Sequence, residues 1–331
     1  MVKNREAWID FAKGLGIIFV VMGHAGDNGI NPYLSWVAMP LFFMVSGFLF
    51  KPVHGDAFKK WSLKRAKQLM IPYFAYGVVI ALLILIKDKF DFGIFFENLG
   101  LLLYGGDILK GSFAVFWFIT CLFLTQLLFA FISRYPRTVQ FAIVAACYVL
   151  SFVVDWSALS VPWNADVVPL ALVYYAIGYY FKDIIVNSIK KIGIPLLALA
   201  GSVAFVLLKH AGAIDFRMDM KYNVYGNFVF ALLIPLSCLL VLFALSYCLC
   251  EIIRPKYNVM VKLGGMTMTV MYLHFPINNL VNEAFHIQPN LVEFTLMGIF
   301  IPVAAHFLLK KIPVFEAIFI NWSPKPAKSL N

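Results

Sequence analysis

Trp8-Ile-Asp-Phe-Ala-Lys-Gly-Leu-Gly-Ile-Ile-Phe-Val-Val-Met-Gly-His24 decides the class of this chain: a very apolar helix with Asp10 and Lys13 near one end and a histidine at the other. In a water-soluble protein such a histidine is buried cheaply. This chain is 62% hydrophobic, with 33 phenylalanines, only 13% charged residues and a mean hydropathy of +0.84. Its solvent is lipid, and a polar group placed in lipid or in a bundle core needs a partner or a task.

Working outward, apolar runs recur at roughly 7–26, 33–50, 68–87, 111–133, 138–155, 165–181, 193–209, 226–250, 261–282 and 291–309. Only helices or closed barrels satisfy their backbone in a bilayer, and about 20 apolar residues suffice for a helix. The expected fold is therefore all-α: a polytopic membrane protein, a bundle of about ten transmembrane helices. Connections between the runs are short, so residues 1–331 are expected to form a single integral-membrane domain.

Charge placement orients the bundle. With a cytoplasmic N-terminus, Lys87, Lys89, Lys110, Lys209, Arg217 and Lys221 fall outside, and the other 21 of the 27 lysines and arginines fall inside. That bias follows the positive-inside pattern. It predicts a multi-pass protein of the cell (inner) membrane with both termini cytoplasmic. The net charge of +10 then reads as topology and contact with anionic membrane lipid. No arginine-rich tract or recognition helix occurs in a soluble stretch, so no nucleic acid partner is expected. The first helix carries charges and no small-residue cleavage site, so it is expected to stay in place. Five cysteines lack any Cys-x-x-Cys spacing and read as small buried residues.

The connections add detail. Pro40 removes a backbone bond inside the second helix, and Ser46-Gly47 permits close helix approach. Residues 51–67 interleave basic and aromatic side chains, which predicts a short interfacial helix. It either lies on headgroups or receives a phosphorylated ligand. Residues 88–110 are too short and polar to span. The segments 155–166 and 209–225 carry aromatics and mixed charges that suit a polar, sugar-bearing substrate, although Trp156 and Trp163 equally suit interface anchors.

Lys13 and His24 are eleven positions apart, roughly 16 Å along a helix and nearly on one face. The lysine is either a snorkelling cation or a ligand for an anion. Asp27, three positions after His24, is placed to hold its ring, and Asp10 to pair with Lys13. A second histidine, His274, sits at a comparable depth in Leu263-Gly-Gly-Met-Thr-Met-Thr-Val-Met-Tyr-Leu-His274-Phe-Pro276. Asn278, Asn279 and Asn282 continue a polar lining. Two histidines at one depth predict a polar chamber. No third ligand stands at suitable spacing, so no metal is expected. His54, His210 and His286 read as loop residues.

In these residues the chain resembles the integral-membrane acyltransferases of acyltransferase family 3. The resemblance rests on Trp8-Ile-Asp10, Lys13-Gly, Val20-Val-Met-Gly-His24 and Met39-Pro-Leu-Phe-Phe-Met-Val-Ser46-Gly47. It continues through Arg65, Ile71-Pro72-Tyr73, Phe116-Trp117-Phe118-Ile119, and Gly264 to Thr269 leading into Met271-Tyr-Leu-His274-Phe-Pro276. Family members move an acyl group, usually acetyl from acetyl-CoA, onto hydroxyls of envelope glycans or related acceptors. Many carry arginine where this chain has Lys13, which keeps the charge and loses the bidentate fork. Some glycan-acetylating relatives have a histidine where this chain has Ala38. No esterase-like stretch is read, so transfer is expected to finish in the membrane domain.

The resemblance implies a membrane-bound O-acetyltransferase. Lys13 with Lys59, Lys60, Lys64, Arg65 and Lys67 would hold the phosphates of acetyl-CoA at the cytoplasmic mouth. His24 would act as general base, or carry the acyl group itself, with Asp27 as orienter and His274 positioning the acceptor or the carbonyl. Trp117, Asn278 and Asn279 would line the substrate, a glycan or lipid-linked saccharide. The competing expectation from ten helices, broken helices and an embedded histidine pair is a secondary transporter for a polar metabolite.

Overall fold

The computed structural model describes residues 7–26, 28–53, 55, 57–156, 160–253 and 258–320. Among them the helices run in chain order α1 (Ala7–Gly23), α2 (Asn31–Phe48), α3 (Ala57–Lys87), α4 (Phe92–Tyr104), α5 (Trp117–Ile132), α6 (Arg137–Val153) and α7 (Val168–Tyr180). They continue as α8 (Lys182–Ile189), α9 (Gly193–His210), α10 (Phe230–Ile252), α11 (Val259–Gly264), α12 (Thr267–Phe285) and α13 (Leu291–Lys311). The chain is an all-α polytopic membrane protein.

The expected count of about ten spanning helices does not hold. Among the described residues, five helical segments are long and apolar enough to cross a membrane: Ala57–Lys87, Gly111–Ile132, Gly193–His210, Phe230–Ile252 and Leu291–Lys311. The other apolar runs form helices that fall short in length or hydropathy. α1 and α6 have 17 residues each and α7 has 13. α2 opens on Asn31-Pro32-Tyr33, and α12 carries His274, three asparagines and Glu283. The physical reason lies in packing. α1 buries ten of its 17 residues and α7 nine of its 13. A helix enclosed by other helices is apolar on all sides whatever its length. α9, by contrast, exposes leucines and valines along nearly its whole length.

Two further local expectations change. Residues 57–67 do not form a separate interfacial helix; they are the first turns of the 31-residue α3, which runs through Pro72. The 88–110 stretch contains α4, capped by the Asp91 carboxylate, which accepts from the backbone of Gly93 and Ile94. The Tyr73 hydroxyl donates to the Leu102 carbonyl at 2.8 Å and ties α4 to α3.

Close helix approach positions α1. A Cβ on Gly264 would lie 1.8 Å from the Asp10 carbonyl oxygen, and one on Gly14 would lie 2.3 Å from that of Met260. Only glycine lets α11 press its backbone against α1. The Trp8 ring packs edge-on against Phe48 and Phe243. That contact puts the end of α2, and so the start of α3, at the Lys13 end of α1.

At the His24 end, three connections interlock into a roof. Asn164 donates to the Lys221 carbonyl at 3.2 Å, Asn223 donates to the Asp166 carboxylate, and the Lys221 ammonium donates to the Leu109 carbonyl. Trp163 donates through its indole N–H to the Leu103 carbonyl at 2.9 Å.

Candidate functional site

His24 follows the last turn of α1. Its Nδ1 lies 2.8 Å from the Val20 carbonyl oxygen. A carbonyl only accepts, so the Nδ1 proton is donated there and Nε2 keeps its lone pair. His274, fully buried in α12, repeats the pattern four residues back: Nδ1–H donates to Val270 at 2.9 Å. The Nε2 of His274 is thereby an acceptor, 3.5 Å from the Nδ1 of His24. The rings meet edge to face at a centroid separation of 5.1 Å, with Phe275 against His24 at 5.3 Å. Both imidazoles are held by backbone carbonyls of their own helices, which fixes tautomer and direction together.

An apolar cavity of about 50 Å³ opens beside His24. Ile17 and Val20 of α1 line it with Met39 and Phe42 of α2, Trp117 and Phe118 of α5, and Met268 and Met271 of α12. Val115 and Thr267 complete the wall. Ile17, Val20 and His24 share one face of α1, and Lys13 extends that face by one more turn. The Lys13 ammonium donates to Asp10 at 2.9 Å.

The structure thus brings His24, His274 and Trp117 to one place. Asn278, fully buried, donates to the His274 and Phe294 carbonyls at 2.7 and 3.3 Å, beneath the histidine rather than beside the cavity. Asn279 is half-buried on the next position of α12. Lys59, Lys60, Lys64 and Lys67 are exposed on the first turns of α3, and Arg65, half-buried, donates to Gln68 at 3.0 Å. Asp27 lies outside the described residues. Among the described residues no three His, Cys, Asp or Glu side chains converge on a metal site. His306 instead meets Thr269 at 2.9 Å.

Sequence reasoning missed two components. One is the methionine wall, since Met39, Met268 and Met271 stand in the quoted motifs without a role. The other is Lys221 and Asp219 in the roof, whose charges act on His24 with opposite sign. Lys221 is 6% exposed. Burial pushes its ammonium down to about 8, while burial raises the Asp219 carboxyl above its ordinary range. The signal was the occurrence of both signs in one short loop, visible in sequence without its burial.

The chain's sequence matches the acyltransferase 3 family, described as an acyltransferase domain, over residues 6–309. Two relatives are named Nodulation protein NolL. That of Mesorhizobium japonicum (strain LMG 29417 / CECT 9101 / MAFF 303099) is 24% identical over 226 residues, 62% of this chain and 57% of the relative. That of Sinorhizobium fredii (strain NBRC 101917 / NGR234) is 27% identical over 199 residues, 55% of this chain and 50% of the relative. The matches thus span about half the length of these relatives. No solved structure matches.

Proposed function

The chain belongs to the acyltransferase 3 family, and from that premise we propose that it transfers an acetyl group from acetyl-CoA to a hydroxyl of an extracytoplasmic glycan or lipid-linked saccharide. It is a membrane-bound acyltransferase.

The observation that carries it is a histidine with a free Nε2 lone pair at an apolar cavity, backed through Nδ1 by a carbonyl and a second imidazole. In the reaction, Nε2 of His24 takes the proton of the acceptor hydroxyl as its oxygen attacks the thioester carbonyl. The tetrahedral intermediate collapses, the carbon–sulfur bond breaks, and the new imidazolium returns the proton to the leaving thiolate. The positive ring is stabilised by the Val20 carbonyl at 2.8 Å and, at 3.5 Å, by Nε2 of His274, whose Nδ1 proton is donated to Val270. Apolar walls keep water from the thioester.

The start of α3 supplies the cations for the donor's phosphates, at the same end of α1 as Lys13. With the charge bias of the sequence, that end would face the cytoplasm, and the roof would face the acceptor. Asp27 is retained as an orienting residue of the proposal.

The test is His24→Ala in proteoliposomes, with labelled acetyl-CoA and an extract of envelope glycans. Loss of a general base lowers turnover by ~10²–10⁴, with CoA binding by calorimetry unchanged. Near-normal turnover overturns the assignment; collapse of CoA binding reassigns His24 to the donor site.

A further inference from the structure

The cavity beside His24 is small enough to measure what enters it. At about 50 Å³, and with roughly 10–15 Å³ for one water-sized sphere, it has room for a group of the size of acetyl or propionyl. Besides the branched side chains of α1 and Val115, its walls hold two kinds of residue. Phe42, Trp117 and Phe118 are rigid rings, with Phe42 and Phe118 packed edge to face at 5.9 Å and Trp117 and Phe118 at 6.2 Å. Met39, Met268 and Met271 are unbranched and adaptable, and they form a second part of the lining.

The methionines stand close to the chemistry. Met271 precedes His274 by about one turn of α12 and Met268 by about two. A group seated against them would have its carbonyl carbon next to the imidazole of His24. Resting on the acyl-transfer reading above, we infer that Met268, Met271 and Met39 limit the donor to short acyl groups, with Met271 as the principal stop. Shortening one of these side chains opens the cavity, because each is the flexible end of an unbranched residue, Met39 on α2 and Met268 and Met271 on α12. Longer acyl groups then fit, and the thioester chemistry at His24 is unchanged.

The experiment compares acetyl-CoA with butyryl-CoA and hexanoyl-CoA in the full-length protein in proteoliposomes, for wild type, Met271→Ala, Met268→Ala and Met271→Leu. Each result is the ratio of turnover on two donors in one preparation, so a smaller folded fraction does not alter it. A pocket discriminates by ~10-fold or more per surplus methylene. Wild type and Met271→Leu are expected to prefer acetyl strongly. Met271→Ala, and less so Met268→Ala, are expected to raise the butyryl-to-acetyl ratio ~10-fold or more. The reverse variant, Val115→Phe, fills the cavity and is expected to depress butyryl use further. Ratios unchanged in the alanine variants, with acetyl transfer intact, overturn this inference and leave the acyl-transfer reading standing. No transfer by wild type from any donor overturns both.

Discussion

Nε2 of His274 lies 3.5 Å from Nδ1 of His24, joining two helices 250 positions apart in the chain. Because Nδ1 of His274 is committed to Val270 at 2.9 Å and the Nδ1 proton of His24 to Val20 at 2.8 Å, His274 Nε2 takes only the longer, shared arm of that His24 proton. His274 is therefore a positioning residue for His24. His274→Leu removes this longer, shared contact while the Val20 carbonyl remains, a loss of about 0.5–1.5 kcal/mol, hence ~2–10-fold in turnover. His274→Gln, which can still accept, is expected to recover part of that loss, with the KM for donor unchanged in both. Equal activity of the Leu and Gln variants would remove His274 from this role.

Lys13 is held at 2.9 Å by Asp10 on the face of α1 that leads to His24. Lys13→Ala is expected to raise the KM for acetyl-CoA about tenfold or more, from loss of about 1.5–3 kcal/mol of a charged contact to phosphate. Lys13→Arg should bind donor at least as well as the wild type, since the guanidinium adds a fork. A donor saturation curve unmoved by Lys13→Ala would make the lysine a membrane anchor only.

Lys221 makes stability depend on pH in a defined window. Its folded ammonium titrates near 8 and its unfolded one near 10.5. Below pH 8 both states are charged, and the fold carries the cost of desolvation. Between about 8 and 10.5 the unfolded chain binds more protons than the folded one, so stability rises with pH. Thermal melting of wild type relative to Lys221→Met is expected to improve across that window. A constant difference between the two would show that Lys221 titrates normally.

Gly264 is where α11 touches α1. Gly264→Ala would put a methyl 1.8 Å from the Asp10 carbonyl oxygen, a backbone atom that cannot rotate away. The expected cost is about 1–3 kcal/mol, seen as a lower melting temperature in detergent. Gly100→Ala on α4, where nothing lies within 4 Å, should be neutral or stabilising by helix propensity. Equal melting of the two variants would mean that the contact relaxes freely.

Orientation is checked with single cysteines at exposed lysines. In a background lacking reactive thiols, Lys59→Cys and Lys110→Cys are expected to label from opposite sides of the membrane with an impermeant maleimide. Labelling from the same side would reverse the proposed route of the donor.

By itself the sequence determined the helical class, the lipid setting and the polar residues to watch. Composition and apolar runs depend only on residue type, and the Lys13-to-His24 face follows from helical periodicity over eleven positions. The acyltransferase resemblance was legible for the same reason, as short ordered motifs within single helices. The number of helices fit to cross was not legible, because α1 and α7 are apolar through burial in protein, and composition reads the same for that as for lipid. The partner of His24 was not legible either. Sequence proximity offered Asp27, which lies outside the described residues; it gave no sign of the Val20 carbonyl, one turn back, or of an imidazole from α12. Likewise Met268 and Met271 carried no signal of a role, and Lys221 read only as one of the charges on the outer side. Only the meeting of α1, α2, α5 and α12 makes the methionines a wall, and only the interlocked roof takes the lysine out of water. Those properties come from packing between segments distant in the chain, which local periodicity does not encode.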